Sequence, residues 1–190
     1  MKIYKAFLIL LFLLVNTNNY VIAQEKNIDE DYYKNFCTEW NEVYWRYSCI
    51  ANTARNNNDW KNALLNYKKL AEMGDVVAYD GLASMYYYGR GVPKDRKIAF
   101  QYANLAARNG YHWGQSMLSK MYYEGDGIEK NASNAYLWSY ITVLGVADSP
   151  SKQITYSYLE KIAESIPYDD LVKIKRKAQI CKATNYKTCE

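Results

Sequence analysis

Histidine is almost missing from this chain: 190 residues include a single one, His112. Cysteine is sparse as well, with four residues and no CxxC pair. Protein zinc centres need clustered Cys and His ligands at short spacing, so no such pattern is present. His112 is expected at the surface, in a turn between repeats. One carboxylate pair, Glu124 and Asp126, has the spacing of an acid–base couple. Asp126 falls between Gly125 and Gly127, however, and reads as loop chemistry. Long apolar runs are lacking too. The longest, Ala6–Val15, is about half of what a bilayer-spanning helix needs. Charge is nearly balanced, with 24 Lys and Arg against 20 Asp and Glu. That excess is too small to argue for nucleic acid as a partner. These absences leave no catalytic residue, no metal site and no cofactor to name, and the chain is expected not to be an enzyme.

What is present begins with a leader. Lys2 and Lys5 precede the apolar run, and Val21-Ile22-Ala23 offers a small-residue cleavage site before Gln24. This is the pattern of a secretory signal peptide over residues 1–23, and residues 24–35 read as a flexible lead-in. An exported chain can form disulfides, and four cysteines allow three pairings. Cys181 and Cys189 flank a predicted helix end and turn, where a bridge is stereochemically easy. On one straight helix Cys37 and Cys49 would lie about 18 Å apart. A bridge needs Cα atoms within about 7 Å, so that pairing requires a break near residues 38–41. The basic run Lys173, Lys175, Arg176 and Lys177 falls late in a predicted helix and reads as a solvated face.

The chain also repeats itself. Shifted by 36 residues, segment 76–111 lies over 112–147: Ala78 meets Gly114, Leu82 meets Leu118, Tyr86 meets Tyr122 and Gly89 meets Gly125. Gly91 meets Gly127, Val92 meets Ile128, Asp95 meets Asn131 and Ala99 meets Ala135. A period of this length marks stacked supersecondary units, none of which buries its apolar face alone. Within a unit, Ala78, Leu82, Met85 and Tyr86 share one helical face, predicting a helix over 76–88. Gly89-Arg90-Gly91 ends it, Asp95 caps a second helix over 96–109, and Ala99, Tyr102, Ala103, Ala106 and Ala107 form that helix's inner stripe. Worn copies flank the clear ones, over 40–75 and 148–183.

The pattern Ala/Gly-x3-Leu-small-x2-Tyr-x2-Gly-x-Gly-Val/Ile-x2-Asp/Asn-x3-Ala resembles the Sel-one-like repeat (SLR) family, relatives of tetratricopeptide repeats. Ala83 and Ser119 stand where family members usually carry glycine, and Gly114 replaces the customary alanine. The resemblance implies an all-α fold: a right-handed α/α solenoid of about four helical hairpins over residues 36–190. It also implies that first helices line the concave surface. Counted from Leu82, the solvent-facing positions of that surface include Val77, Asp80, Ser84, Tyr87 and Tyr88. In the next repeat they become Trp113, Ser116, Lys120, Tyr123 and Glu124, and in the preceding one they include Tyr44. Tyr86, Tyr122 and Tyr158 take the buried repeat position.

Tyrosine and tryptophan combine large contact area with few rotors, and they dominate interface hot spots. The expected partner-binding residues are therefore Tyr44, Asp80, Ser84, Tyr87, Tyr88, Trp113, Lys120, Tyr123 and Glu124, against the alternative that several pack between repeats. With the leader, this implies an exported, periplasmic module that binds another protein without catalysis and is monomeric when free. Two roles compete: an immunity protein or inhibitor of a toxic effector enzyme, and an envelope scaffold. Because aromatic grooves also stack on sugars, glycan or small-ligand binding stays open beside them.

Overall fold

The computed structural model describes residues 43–145, 150–186, 188 and 189. The expected leader, lead-in and Cys37 lie outside them. Among the described residues there are eight α-helices and no strand: α1 (Val43–Asn56), α2 (Trp60–Glu72), α3 (Val76–Tyr88), α4 (Arg96–Arg108), α5 (His112–Glu124), α6 (Ala132–Gly145), α7 (Pro150–Ala163) and α8 (Tyr168–Ala183). The chain divides into two compact units, one ending at Asn66 and one beginning at Tyr67, with the boundary inside α2.

In the first unit α1 buries Ala51 and Ala54. Its end is turned by an asparagine rather than a glycine. Asn58 sits at φ 60, in the left-handed region that asparagine tolerates better than most residues. Asp59 then opens α2, its Oδ1 accepting the Asn62 backbone N–H at 3.2 Å. Cys49 is disulfide-bonded.

The second unit holds both clear repeats, built by the same devices at the same offset. Gly89 and Gly125 close α3 and α5 at φ 72 and 75. Their N–H groups reach the carbonyls of Met85 and Met121, which satisfies acceptors that a helix end otherwise leaves orphaned. The loop then turns back on its own helix: Asp95 N donates to Tyr86 O at 3.0 Å, and Asn131 N to Tyr122 O at 2.8 Å. Each of those residues also starts the second helix, Asp95 Oδ1 accepting from Ile98 N and Asn131 Oδ1 from Asn134 N, both at 2.9 Å. Gly127 allows the second loop to approach the first repeat. A Cβ there would lie 2.3 Å from the Arg96 carbonyl oxygen.

Packing follows the hairpins. α3 pairs with α4, α4 with α5, and α5 with α6. Small residues set the closest crossing: a Cβ on Gly114 would lie 2.5 Å from that of Ala106, so α4 and α5 meet almost backbone to backbone. α6 is the most enclosed helix. Ala135 through Ser139 and Ile141 through Val143 are all buried, because α5, α7 and α8 all pack against it. Ser119, the residue in place of the usual glycine, is buried and bonded, its Oγ 2.6 Å from Ser139 Oγ and 2.8 Å from the Ala135 carbonyl.

Beyond α8 the chain reverses through two consecutive left-handed residues, Asn185 (φ 55) and Tyr186 (φ 65). Cys189 bonds to Cys181 with Cα atoms 4.7 Å apart. Both cysteines lie in a core cluster with Ala107, Leu118, Leu137, Trp138, Ile141 and Ala178. The bridge therefore ties the tail into the centre of this unit rather than only pinning its last helix. Tyr186 packs so closely on Gly110 that a Cβ there would lie 2.5 Å from its ring.

Candidate functional site

The first helices of the two clear repeats, α3 and α5, touch along one side of their hairpins. Between them lies a groove of about 370 Å³, lined by Asp80, Ser84, Tyr87 and Tyr88 of α3 and by Trp113, Ser116, Met117 and Lys120 of α5. The 36-residue period places these side chains together, since Ser116 and Lys120 repeat the positions of Asp80 and Ser84. Tyr88 and Trp113 are the exposed aromatics, 56% and 58% accessible. Arg90 sits over the Tyr88 ring at 4.9 Å.

Tyr87 differs from its expected setting. Counting from Leu82 makes it solvent-facing, yet it is only 4% exposed and belongs to a core cluster with Ala83, Ala99, Ala103 and Met121. The count assumes that α3 is covered on one side, by α4, whereas α5 covers a second. Arg96 completes the enclosure. Its guanidinium lies 3.4 Å from the Tyr87 ring centre, and its Nε pairs with Asp126 Oδ1 at 3.3 Å. Tyr87 is thus the groove's floor, a rigid ring presenting its remaining edge. Tyr86 is half-buried rather than buried and stacks on Tyr102 at 5.9 Å. Tyr122 and Tyr158 are half-buried as well.

Lys120 also reaches over Tyr87, its Nζ 5.3 Å from the ring centre. Burial by itself would lower its affinity for a proton. A hydrogen bond to Tyr87 and the nearby Tyr87, Glu124 and Tyr88 outweigh that and raise it above the ordinary lysine value. Lys120 is therefore cationic at any physiological pH. The groove offers one ammonium, one carboxylate, two serine hydroxyls, a thioether and three aromatic rings. That set hydrogen-bonds and stacks. Among the described residues no group of three or more His, Cys, Asp or Glu is placed to hold a metal.

Six of the nine expected residues line this groove: Asp80, Ser84, Tyr87, Tyr88, Trp113 and Lys120. Tyr123 lies beyond it, edge-on to Tyr158 at 5.3 Å with Lys130 5.4 Å from its ring. Glu124 is exposed at the end of α5. Tyr44 belongs to the first unit, where its ring meets Trp45 edge-on at 5.1 Å. Sequence reasoning missed Met117 and Arg96. Met117 shares the groove-facing side of α5 with Trp113 and Ser116, a signal that helical spacing could have supplied. Arg96 had no such signal, because it acts through a fold-back onto the preceding helix.

The fold defines an all-α helical-repeat protein. Its repeats have a family: the Sel1 repeat model matches residues 76–111 and 114–140, so these segments are Sel1 repeats. Among solved structures, the chain is similar to a protective antigen of uropathogenic Escherichia coli strains that displays an SLR fold, with TM-score 0.64 and 18% identity. That match covers 83% of this chain and 32% of the antigen. It is also similar to a Sel1 repeat protein from Oxalobacter formigenes, with TM-score 0.54 and 22% identity over 73% of this chain and 57% of that one. The chain thus spans about a third and just over half of those two proteins, and the likeness is one of fold. No curated protein matches it in sequence.

Proposed function

We propose that this chain is an exported, non-catalytic protein-binding module whose α3–α5 groove seats one protein partner. The observation that supports it most directly is the pairing of Tyr88 and Trp113, both more than half exposed, across a floor that Arg96 and Lys120 hold fixed. Exposed aromatics on a rigid support lose little freedom on binding, so a small contact yields useful affinity. The leader read over residues 1–23 supports export, and in a Gram-negative cell that places the module in the periplasm. Within this class we favour a dedicated inhibitor, such as an immunity protein against a delivered toxic enzyme, over an envelope scaffold. The α3–α5 groove, built from two adjacent repeats, has room for one partner at a time.

The test is affinity capture from the native envelope extract, followed by binding of the identified protein to the purified chain. A Tyr88→Ala, Trp113→Ala variant runs beside wild type. Tyr87 is left intact because its truncation would open the core. One stoichiometric partner whose affinity falls at least about tenfold in the variant supports the groove. The partner's activity, inhibited or unchanged in the complex, then selects inhibitor or scaffold. Equal retention by both proteins overturns the reading.

A further inference from the structure

The groove does not use α8, whose outer face has a chemistry of its own. Tyr168, Val172, Arg176 and Ile180 follow one another at every fourth position and so form one ridge along the helix. Tyr168 is 78% exposed, Val172 50% and Ile180 47%. On one border run Lys173 and Lys177, and on the other Lys175, all exposed. The opposite face is spent on the core, where Ala178 and Cys181 are buried and Leu171 and Ile174 pack inward. Acidic residues occur only in the first turn, as Asp169 and Asp170, and Asp170 is already paired with Lys173 at 2.9 Å.

We infer that this ridge is a peripheral docking surface for an anionic lipid bilayer. A bilayer surface presents phosphates and the edge of its hydrocarbon in one plane, and an amphipathic helix with an apolar stripe between rows of lysine matches both. Lysine stems lie alongside such a stripe while their ammonium groups stay at the phosphates. Lys175 lies at the edge of that face, its Nζ 5.9 Å from the Tyr140 ring of α6. Arg176, in the middle of the ridge, keeps the helix at headgroup depth, so attachment is shallow and depends on charge.

The full chain is sedimented with vesicles of phosphatidylglycerol mixed into phosphatidylcholine, and with vesicles of phosphatidylcholine alone, at low and high salt. Wild type is expected to sediment with the anionic vesicles at low salt and to be released at high salt. Lys175→Glu with Lys177→Glu weakens that partition at least about tenfold, and Val172→Ser with Ile180→Ser weakens it less. All four positions are exposed, so helicity is retained, and Arg176→Glu provides an independent charge reversal. Binding through the apolar leader is common to every variant, so the difference isolates α8. Two results overturn the proposal: equal binding to neutral and anionic vesicles, or variants that sediment like wild type.

Discussion

Repeats 76–111 and 112–147 share a backbone and differ in what they do with it. Their closing glycines agree within a few degrees of φ, and their caps and loop clamps are superimposable in kind. Yet Tyr87 and Tyr123, at the same repeat position, have opposite settings. Tyr87 is sealed beneath Arg96, whereas Tyr123 is half-buried against Tyr158. The residue equivalent to Arg96 in the second repeat is Ala132, which has nothing to fold over a ring. The repeat motif fixes the hairpin, and the residues between motif positions decide which surfaces remain available.

The largest effect is expected where the repeats meet. Gly127→Ala forces a Cβ into the Arg96 backbone at a left-handed φ of 85. Left-handed strain and backbone overlap together cost about 4 kcal/mol. Gly125→Ala, at φ 75 with only the Lys130 side chain and backbone near contact, costs about 1–2 kcal/mol. Urea denaturation of the two variants measures the gap, and equal losses would show that the inter-repeat contact contributes little.

Truncating the paired tyrosines comes next. Tyr87→Ala removes an almost wholly buried ring and should cost about 3 kcal/mol, against roughly half that for Tyr123→Ala. Thermal unfolding distinguishes them. An equal cost would mean that Arg96 does not shield the first ring in solution.

The smallest effect concerns the residue that covers Tyr123. Among the described residues Tyr158 Oη is buried with no hydrogen-bond partner, so Tyr158→Phe should stabilise the fold by about 1 kcal/mol. Burial first, and then Glu124, Tyr123 and Tyr87, push the Tyr158 phenol well above its ordinary pKa. The folded state therefore favours the neutral phenol. Its contribution is constant below the unfolded tyrosine pKa, about 10, and is lost as pH rises above that value. Denaturation midpoints should fall between neutral and strongly alkaline pH, less steeply in Tyr158→Phe than in wild type.

Most of the hairpin geometry was legible in the sequence because it rests on local rules. The expected helix over 76–88 is α3 from Val76 to Tyr88, and the expected 96–109 is α4 from Arg96 to Arg108. Glycine at a positive φ and aspartate at a cap leave signatures within a few residues. In the worn repeat Asn58, at φ 60, takes the left-handed role that glycine has in the clear ones. The groove was legible through the period, which brought Asp80, Ser84, Trp113 and Lys120 to one place. What escaped was non-local. The second covered side of α3 buried Tyr87, and a guanidinium folded across a helix junction, neither of which helical spacing encodes.

In an open repeat array each unit touches only its neighbours, so the ends fray while the middle holds. The tail of this chain contradicts that independence. Tyr186 rests on Gly110 and Cys189 shares a core with Ala107 and Leu118, contacts that skip more than a whole repeat. That back-fold closes a line of neighbours into a circuit. The last helix cannot peel away without withdrawing support from the first clear repeat, so the unit melts as one cooperative body.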